Sequence, residues 1–254
     1  MKRKCIWCLK DESAETFEKK AHTIPKSLGG DNYYKNICDS CNSYFGNRDS
    51  TLTTYSIEEA LKEAFNISRK RLLVPERTKR KVGRFKSKFF EIKEKKGRLS
   101  LNVKTSFRFT QGFQSQLCRN FKRGLYKMVY EELHRQNKID EYLNYNIIRE
   151  FARYNKGELP VIYFFRSFGA IMLMEEEPAK TILYFERMTY LFSSEKFIEI
   201  EFLGHVFGFP ITNFSEEDFK TYLNQSIALK KGHFKSFVLI KKLTDIDITL
   251  SILN

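Results

Sequence analysis

The chain of 254 residues lacks any long uninterrupted run of apolar side chains. The two longest runs, 159–165 and 168–174, are separated by Arg166 and Ser167, and each is far shorter than the ~20 residues that a membrane-spanning helix needs. The basic N-terminus, residues 1–8, also lacks the apolar segment of a secretory signal. We therefore expect no membrane helix and a cytoplasmic location.

Cysteines are few, and four of the five lie within the first 41 residues. Disulfides are rare in a reducing cytoplasm, so the cysteine spacing is interpreted first as a metal site. Cys5 and Cys8 form one CxxC pair, and Cys38 and Cys41 form another. Two such pairs provide the four thiolates of a structural Zn²⁺ site, which leaves no open position for substrate. The fifth cysteine, Cys118, is expected to be a small buried hydrophobe on a helix.

Positive charge is concentrated in one segment of the chain. The formal net charge is +14, and residues 69–104 carry 15 Lys and Arg against 3 Asp and Glu, a net +12. The flanking segments 1–68 and 105–254 are close to neutral, with 10 against 10 and 20 against 18. A clustered basic segment is typical of a nucleic-acid contact surface. The predicted contact residues are Arg77, Lys79, Arg80, Lys81, Arg84, Lys86 and Lys88.

Short patterns predict a helix just before this basic segment and a hairpin at its C-terminal end. Ser56 and Glu59 have the spacing of a capping box, and apolar residues follow at helical spacing, which predicts a helix over 56–67. Alternating apolar residues from Phe90 onward and again up to Val103 flank the Lys-Lys-Gly sequence at 95–97. This pattern predicts a β-hairpin with a basic exposed face.

A long amphipathic helix is predicted from residue 112. Its basic residues Arg119, Lys122, Arg123 and Lys127 fall largely outside the apolar face. Such a distribution is typical of a helix with one buried and one solvated side. The predicted buried face consists of Phe113, Leu117, Phe121, Leu125, Met128 and Leu133.

The rest of the chain combines two further predicted helices, over 141–155 and 215–227, with several strands. Residues with high β-propensity are concentrated in short segments bounded by turn residues. The predicted strands are 161–165, 181–185, 189–192, 197–202, 206–211 and 237–240. We therefore expect an α+β domain with a mostly antiparallel sheet.

A second motif begins between the two cysteine pairs and ends directly after the second pair. His22 is followed by Pro25 and then by Gly29-Gly30, Asn36 comes fourteen residues after the histidine, and Asn42 directly follows the second CxxC pair. In this order and spacing the residues resemble the HNH endonuclease family. The resemblance covers about residues 1–50.

The resemblance implies a zinc-stapled ββα-metal module, similar to a treble clef, in which His22 ends the first strand of a hairpin. A histidine can accept a proton from water at neutral pH and so act as the general base of phosphodiester hydrolysis. In the family pattern Asn36 orients the imidazole or fixes its loop. Asn42, on the helix, offers an oxygen to a hard cation such as Mg²⁺, which polarises the scissile phosphate.

The sequence departs from the family pattern at three points. Asn36 lies closer to Cys38 than in many members, the third residue is Asn42 rather than His, and Ala21 stands where many members carry Asp or Glu. Alanine has no oxygen to offer a metal, so another side chain would have to supply a carboxylate. Two of the asparagine assignments also have alternatives nearby. The alternative candidates are Asn32 for the middle residue, Asn47 for the helix residue, and Asp31, Asp39 and Asp49 for the carboxylate.

These observations divide the chain into three parts: an HNH module with its following helix (1–68), a basic nucleic-acid-contacting segment (69–104) and an α+β domain of unknown function (105–254). The leading hypothesis is a metal-dependent endonuclease that cleaves DNA, with RNA as an alternative substrate. A non-catalytic zinc protein that only binds nucleic acid is the first alternative. A nuclease controlled by a protein or ligand partner of its near-neutral C-terminal domain is the second. Restriction, mobile-element spread and phage defence all suit such a protein.

Overall fold

The computed structural model describes residues 2–47, 55–66, 68–69, 86–95, 98–139, 143–166, 181–186 and 189–241. Helices and antiparallel strands are both present, which confirms the predicted mixed architecture. The elements are, in chain order, β1 Ala21–His22, a 3₁₀ turn Lys26–Leu28, β2 Tyr33–Tyr34, α1 Asp39–Gly46, α2 Ile57–Ala64, β3 Phe90–Lys95, β4 Arg98–Val103, α3 Gln111–Arg135, α4 Asn146–Ile148 with a π-helical continuation Arg149–Arg153, β5 Ile162–Arg166, β6 Leu183–Tyr184, β7 Phe197–Phe202, β8 His205–Pro210, α5 Glu216–Lys230 and β9 Phe234–Leu239.

Strands β1 and β2 and helix α1 form the predicted ββα arrangement. Strands β1 and β2 pair in antiparallel fashion, with His22 opposite Tyr33. Helix α1 follows directly, and Cys38 occupies its N-cap position. The hairpin and the helix thus bring the two halves of the N-terminal motif together.

Helix α2 begins at its predicted capping box. The Ser56 hydroxyl accepts a hydrogen bond from the Glu59 N–H at 3.0 Å, and the Glu59 carboxylate accepts one from the Ser56 N–H at the same distance. These bonds satisfy N–H groups that a helix start leaves without partners. The helix then packs closely on α3, where a Cβ at Gly124 would lie only 3.0 Å from the Cβ of Leu61.

Helix α3 is buried on nearly all sides between Leu117 and Leu133, which corrects the sequence prediction for its basic residues. The predicted apolar face is largely buried, but Lys122, Arg123 and Lys127 are buried as well. The expectation that they lie on a solvated side was wrong, because the N-terminal module contacts Arg123 and Lys127 and the segment from Phe151 to Glu158 contacts Lys122. Their charges are retained through specific partners, as buried charges require.

The predicted hairpin of the basic segment is present as β3 and β4, with Phe90 opposite Val103. Phe89 and Phe90 are buried against the rings of Phe107 and Phe113, which fastens the hairpin to the rest of the chain. Of the predicted nucleic-acid contacts, Lys86 is exposed and Lys88 partly exposed. The other five lie outside the described residues: Arg77, Lys79, Arg80, Lys81 and Arg84.

The C-terminal half contains a five-stranded antiparallel sheet in the order β6-β7-β8-β5-β9. This confirms the predicted sheet type, and most strands lie within a few residues of the predicted ranges. The predicted strand 189–192 is wrong. The Phe192 N–H donates to the side chain of Glu199 at 2.9 Å, and the Tyr190 hydroxyl bonds to the side chain of Glu201. Beside these side-chain partners the segment has one backbone bond, from the Glu199 N–H to the Phe192 carbonyl at 2.9 Å, and one isolated bridge at Ser193, which do not make a strand.

A buried histidine links Ser68, which lies shortly after α2 in the sequence, to this sheet. His205 on β8 pairs through Nε2 with the Ser68 hydroxyl at 2.7 Å and through Nδ1 with the Tyr163 hydroxyl at 3.1 Å. Complete burial lowers the pKa of His205 to about 3, with a smaller contribution from Arg166. The ring is therefore neutral at physiological pH and serves as a hydrogen-bonded part of the core.

A single hydrophobic cluster runs through most of the described chain, from Cys5 to Ile240, and a smaller one lies between the sheet and α5. Buried side chains from the N-terminal module, from the hairpin and from the sheet all belong to the larger cluster. The division at residues 68 and 104 stays a prediction, and the three parts share one core. No helix among the described residues is both long enough and apolar enough to cross a bilayer.

Candidate functional site

The four N-terminal cysteines converge on one point. The Sγ atoms of Cys5, Cys8, Cys38 and Cys41 all lie within 4.8 Å of one another, and those of Cys8 and Cys38 are 3.7 Å apart. Tetrahedral zinc with Zn–S bonds of about 2.3 Å places sulfur atoms about 3.8 Å apart. The cluster therefore has the donor set and the size to hold a zinc ion, as the two CxxC pairs predicted.

The ionisation of these thiols also favours a cation at their centre. The hydrogen bond from Cys41 lowers the pKa of Cys5 to about 5, whereas burial raises the pKa of Cys38 to about 12. The hydrogen bond to Cys5, followed by burial, raises the pKa of Cys41. Without a metal, buried thiols so close together do not ionise together, and a bound divalent cation would favour their thiolate forms.

His22, the last residue of β1, lies at the loop end of the hairpin and is half-buried. Its Nδ1 atom is buried and makes no hydrogen bond with any described residue. Burial, followed by the positive charge of Lys26, lowers the pKa of His22 against an opposing effect of the Asn32 backbone. Lys127 lowers this pKa further by a smaller amount, and Asp31 raises it least. The imidazole is therefore neutral at physiological pH, the form in which it can accept a proton.

The loop after His22 explains the Pro and double-Gly part of the motif. Pro25 precedes the 3₁₀ turn, and its carbonyl accepts the N–H groups of Leu28 at 2.8 Å and Gly30 at 3.2 Å. Gly29 caps this turn with a φ of 87°, a conformation that glycine adopts without strain. A Cβ at Gly30 would overlap the carbonyl oxygen of Ile24. Both glycines are therefore needed to fold the loop back beside the histidine.

Comparison with known protein families assigns the N-terminal segment that contains the two cysteine pairs and His22. Residues 5–53 match the HNH endonuclease family. The match spans both cysteine pairs, the hairpin and α1, as the resemblance predicted. No curated protein and no solved structure matches the chain.

The asparagines of the HNH segment lie in different surroundings. The side chain of Asn36 donates to the Tyr34 hydroxyl at 3.4 Å, and the main-chain carbonyl of Asn36 accepts the Ile6 N–H at 3.0 Å. Asn36 therefore connects the hairpin to the first cysteine pair. The Asn32 carbonyl instead accepts the N–H of the residue after His22, at 3.2 Å. Asn42 lies half-buried on α1. Asn47, at the end of that helix, is exposed. The catalytic roles of these residues stay predictions.

The carboxylates considered near the HNH histidine differ in what they bind. Asp39 accepts hydrogen bonds from the side chain of Thr16 and from the N–H groups of residues 18 and 19, so it fastens the preceding loop. Asp31 is exposed and contributes weakly to the electrostatics of His22. Asp49 lies outside the described residues. Among the residues that the structure describes, the cysteines are the one group of three or more His, Cys, Asp and Glu side chains arranged to hold a metal ion.

Sequence reasoning missed the charged side chains of α3 that contact the HNH hairpin. Lys127 donates to the His22 carbonyl oxygen at 2.6 Å, and its Nζ atom lies 3.2 Å from Glu58 and 3.1 Å from Glu131. The Trp7 indole, beside the first cysteine pair, donates to the Glu131 carboxylate at 2.9 Å. The available signal was the i,i+4 spacing of Lys127 and Glu131, which is also common on exposed helix surfaces.

Proposed function

We propose that the protein is a metal-dependent endonuclease that hydrolyses phosphodiester bonds in DNA, with His22 as the general base. The observation that carries the proposal is the placement of a neutral histidine at the end of β1 in a four-cysteine ββα module that matches the HNH endonuclease family. A nuclease of the HNH type acts on nucleic acid, and the basic segment favours a polyanionic substrate.

In this reaction a water molecule attacks phosphorus while its proton passes to the imidazole of His22. The new P–O bond forms as the bond to the leaving sugar oxygen breaks, and that oxygen gains a proton from solvent. A divalent cation, when bound, would stabilise the charge on the phosphate and on the leaving oxygen. Asn42 is the proposed protein donor, since Mg²⁺ takes few protein oxygens and keeps several waters.

Replacing His22 with Ala tests the base. Removal of a general base costs on the order of 10²- to 10⁴-fold in rate, while the thiolate cluster and the basic segment stay intact. His233→Ala is the matched control, because that exposed histidine lies just before β9 and outside the HNH segment. Cleavage is measured on supercoiled, linear and single-stranded DNA and on RNA, each with Mg²⁺, Mn²⁺, Co²⁺ or Ni²⁺.

Loss of cleavage in His22→Ala, with unchanged zinc content and unchanged DNA affinity, would support the proposal. Equal rates in His22→Ala and wild type would refute the assignment of the base.

A second candidate is a zinc protein that binds nucleic acid without cutting it. The buried state of Ala21, which is 1% exposed and offers no metal ligand, favours this candidate. Binding without cleavage by the wild-type protein on all four substrates and with all four metals would establish it.

A further inference from the structure

Lys127 connects the C-terminal part of the chain to the backbone of the candidate catalytic strand. Its side chain is 1% exposed and reaches across the interface between α3 and the HNH hairpin. The ammonium donates to two consecutive carbonyl oxygens, that of His22 at 2.6 Å and that of Thr23 at 3.3 Å. The same end of the hairpin is held a second time, by a hydrogen bond between the Thr23 hydroxyl and Glu132.

We propose that Lys127 is a positioning residue for His22, which holds the catalytic strand in place through the two carbonyl oxygens and places a positive charge behind the imidazole. The inference rests on the proposed function of His22. A side chain this buried is unable to touch DNA, so its effect passes through the histidine.

The charge of Lys127 is maintained by its surroundings. Glu131 on α3 and Glu58 on α2 are the ionisable groups that face it. Burial alone would lower the pKa of Lys127, but the two carboxylates outweigh burial and the pKa is raised. A permanent positive charge therefore lies behind the histidine. On the other sides of His22 the charged groups are Lys26 and Asp31.

Lys127→Met tests the proposal, because methionine keeps the length of the side chain and removes its charge and donors. Burial raises the pKa of Glu131, so this carboxyl can become neutral when its partner is removed. Lys127→Met combined with Glu131→Gln removes the charge pair together and guards against a folding defect. Lys122→Met is the matched control, since Lys122 is a buried lysine of the same helix that pairs with Glu158 instead.

The first measurement is an NMR titration of the His22 ring in the full-length, zinc-loaded protein, with the signal assigned by its absence from His22→Ala. The chain has four histidines, so the spectrum is simple. Loss of the ammonium should move the His22 midpoint to higher pH in both Lys127 variants and leave it in place in Lys122→Met. An unmoved midpoint in folded Lys127 variants would overturn the inference, whether or not the protein cleaves DNA.

The second measurement is the cleavage rate and its pH profile. Small displacements of reacting groups cost on the order of 10²-fold in rate, so kcat should fall by about that factor in both Lys127 variants while KM stays constant. The acidic limb of the profile should move to higher pH together with the NMR midpoint. Wild-type-like kcat in the Lys127 variants would overturn the positioning role. An absence of cleavage by wild type would refute the proposed function instead, and the NMR result would still decide the coupling.

Discussion

Replacing Arg153 with Met tests whether the C-terminal half of the chain stabilises the cysteine cluster. Arg153 ends the π-helical segment after α4, and its Nε atom donates to the Cys41 sulfur at 3.4 Å. The guanidinium carbon lies 3.9 Å from the centre of the Tyr44 ring, which keeps the side chain over α1. A four-thiolate zinc site carries net negative charge, so a cation bonded to one sulfur stabilises the loaded form.

The size of the effect follows from the exposure of Arg153. Loss of a hydrogen-bonding partner behind a metal ligand typically costs 10- to 100-fold in metal affinity, which corresponds to about 1.4 to 2.7 kcal/mol. Arg153 is only partly buried, and solvent screening weakens such an interaction. We therefore expect the lower end of the range, about a tenfold loss of zinc affinity in Arg153→Met.

The assay is an equilibrium competition for zinc between the protein and a chromogenic chelator. Arg119→Met is the matched control, because the Arg119 guanidinium bonds to the side chains of Asn155 and Glu158 instead of to a cysteine sulfur. It should bind zinc as wild type does. Equal zinc affinity for wild type and Arg153→Met would refute the reasoning, since it would mean that the N–H···S hydrogen bond contributes nothing to the loaded state.

Two further predictions concern nucleic-acid binding and acid stability. Neutralising Arg77, Lys79, Arg80 and Lys81 together should reduce the slope of log affinity against log salt concentration. The expected reduction is about 0.9 for each DNA phosphate that the variant no longer neutralises. An unchanged slope would place the binding surface elsewhere. Neutral His205, with a pKa of about 3 in the fold against 6.5 ordinarily, contributes stability that is complete above pH 6.5 and is lost as pH falls towards 3. Between pH 7 and 5 denaturant unfolding should show wild type losing about 2 kcal/mol more than His205→Gln; equal losses would contradict the burial argument.

Patterns confined to a few neighbouring residues were sufficient to predict much of the N-terminal module. The capping box of Ser56 and Glu59 and the turn at Gly29-Gly30 depend on contacts between residues close in sequence, and each CxxC pair is itself a local pattern. Local hydrogen bonding and backbone conformation decide such features, so they can be predicted from the amino-acid sequence. The hairpin of β7 and β8 was predictable for a related reason, because two alternating strands separated by a short turn favour pairing with each other. The pairing of β5 with β8 and β9 joins segments that are far apart in the sequence.

Only the tertiary structure decided which charged residues are buried and what they do. Helical periodicity places Lys127 away from the apolar face of α3, but it gives no information on whether a second module covers that side. The hydrogen bond between Lys127 and the His22 carbonyl joins residues 105 positions apart. The hydrogen bond between Arg153 and Cys41 joins residues 112 positions apart. Such interactions depend on how the elements pack, because burial turns a charge that would be solvated on an isolated helix into a group that must find a partner.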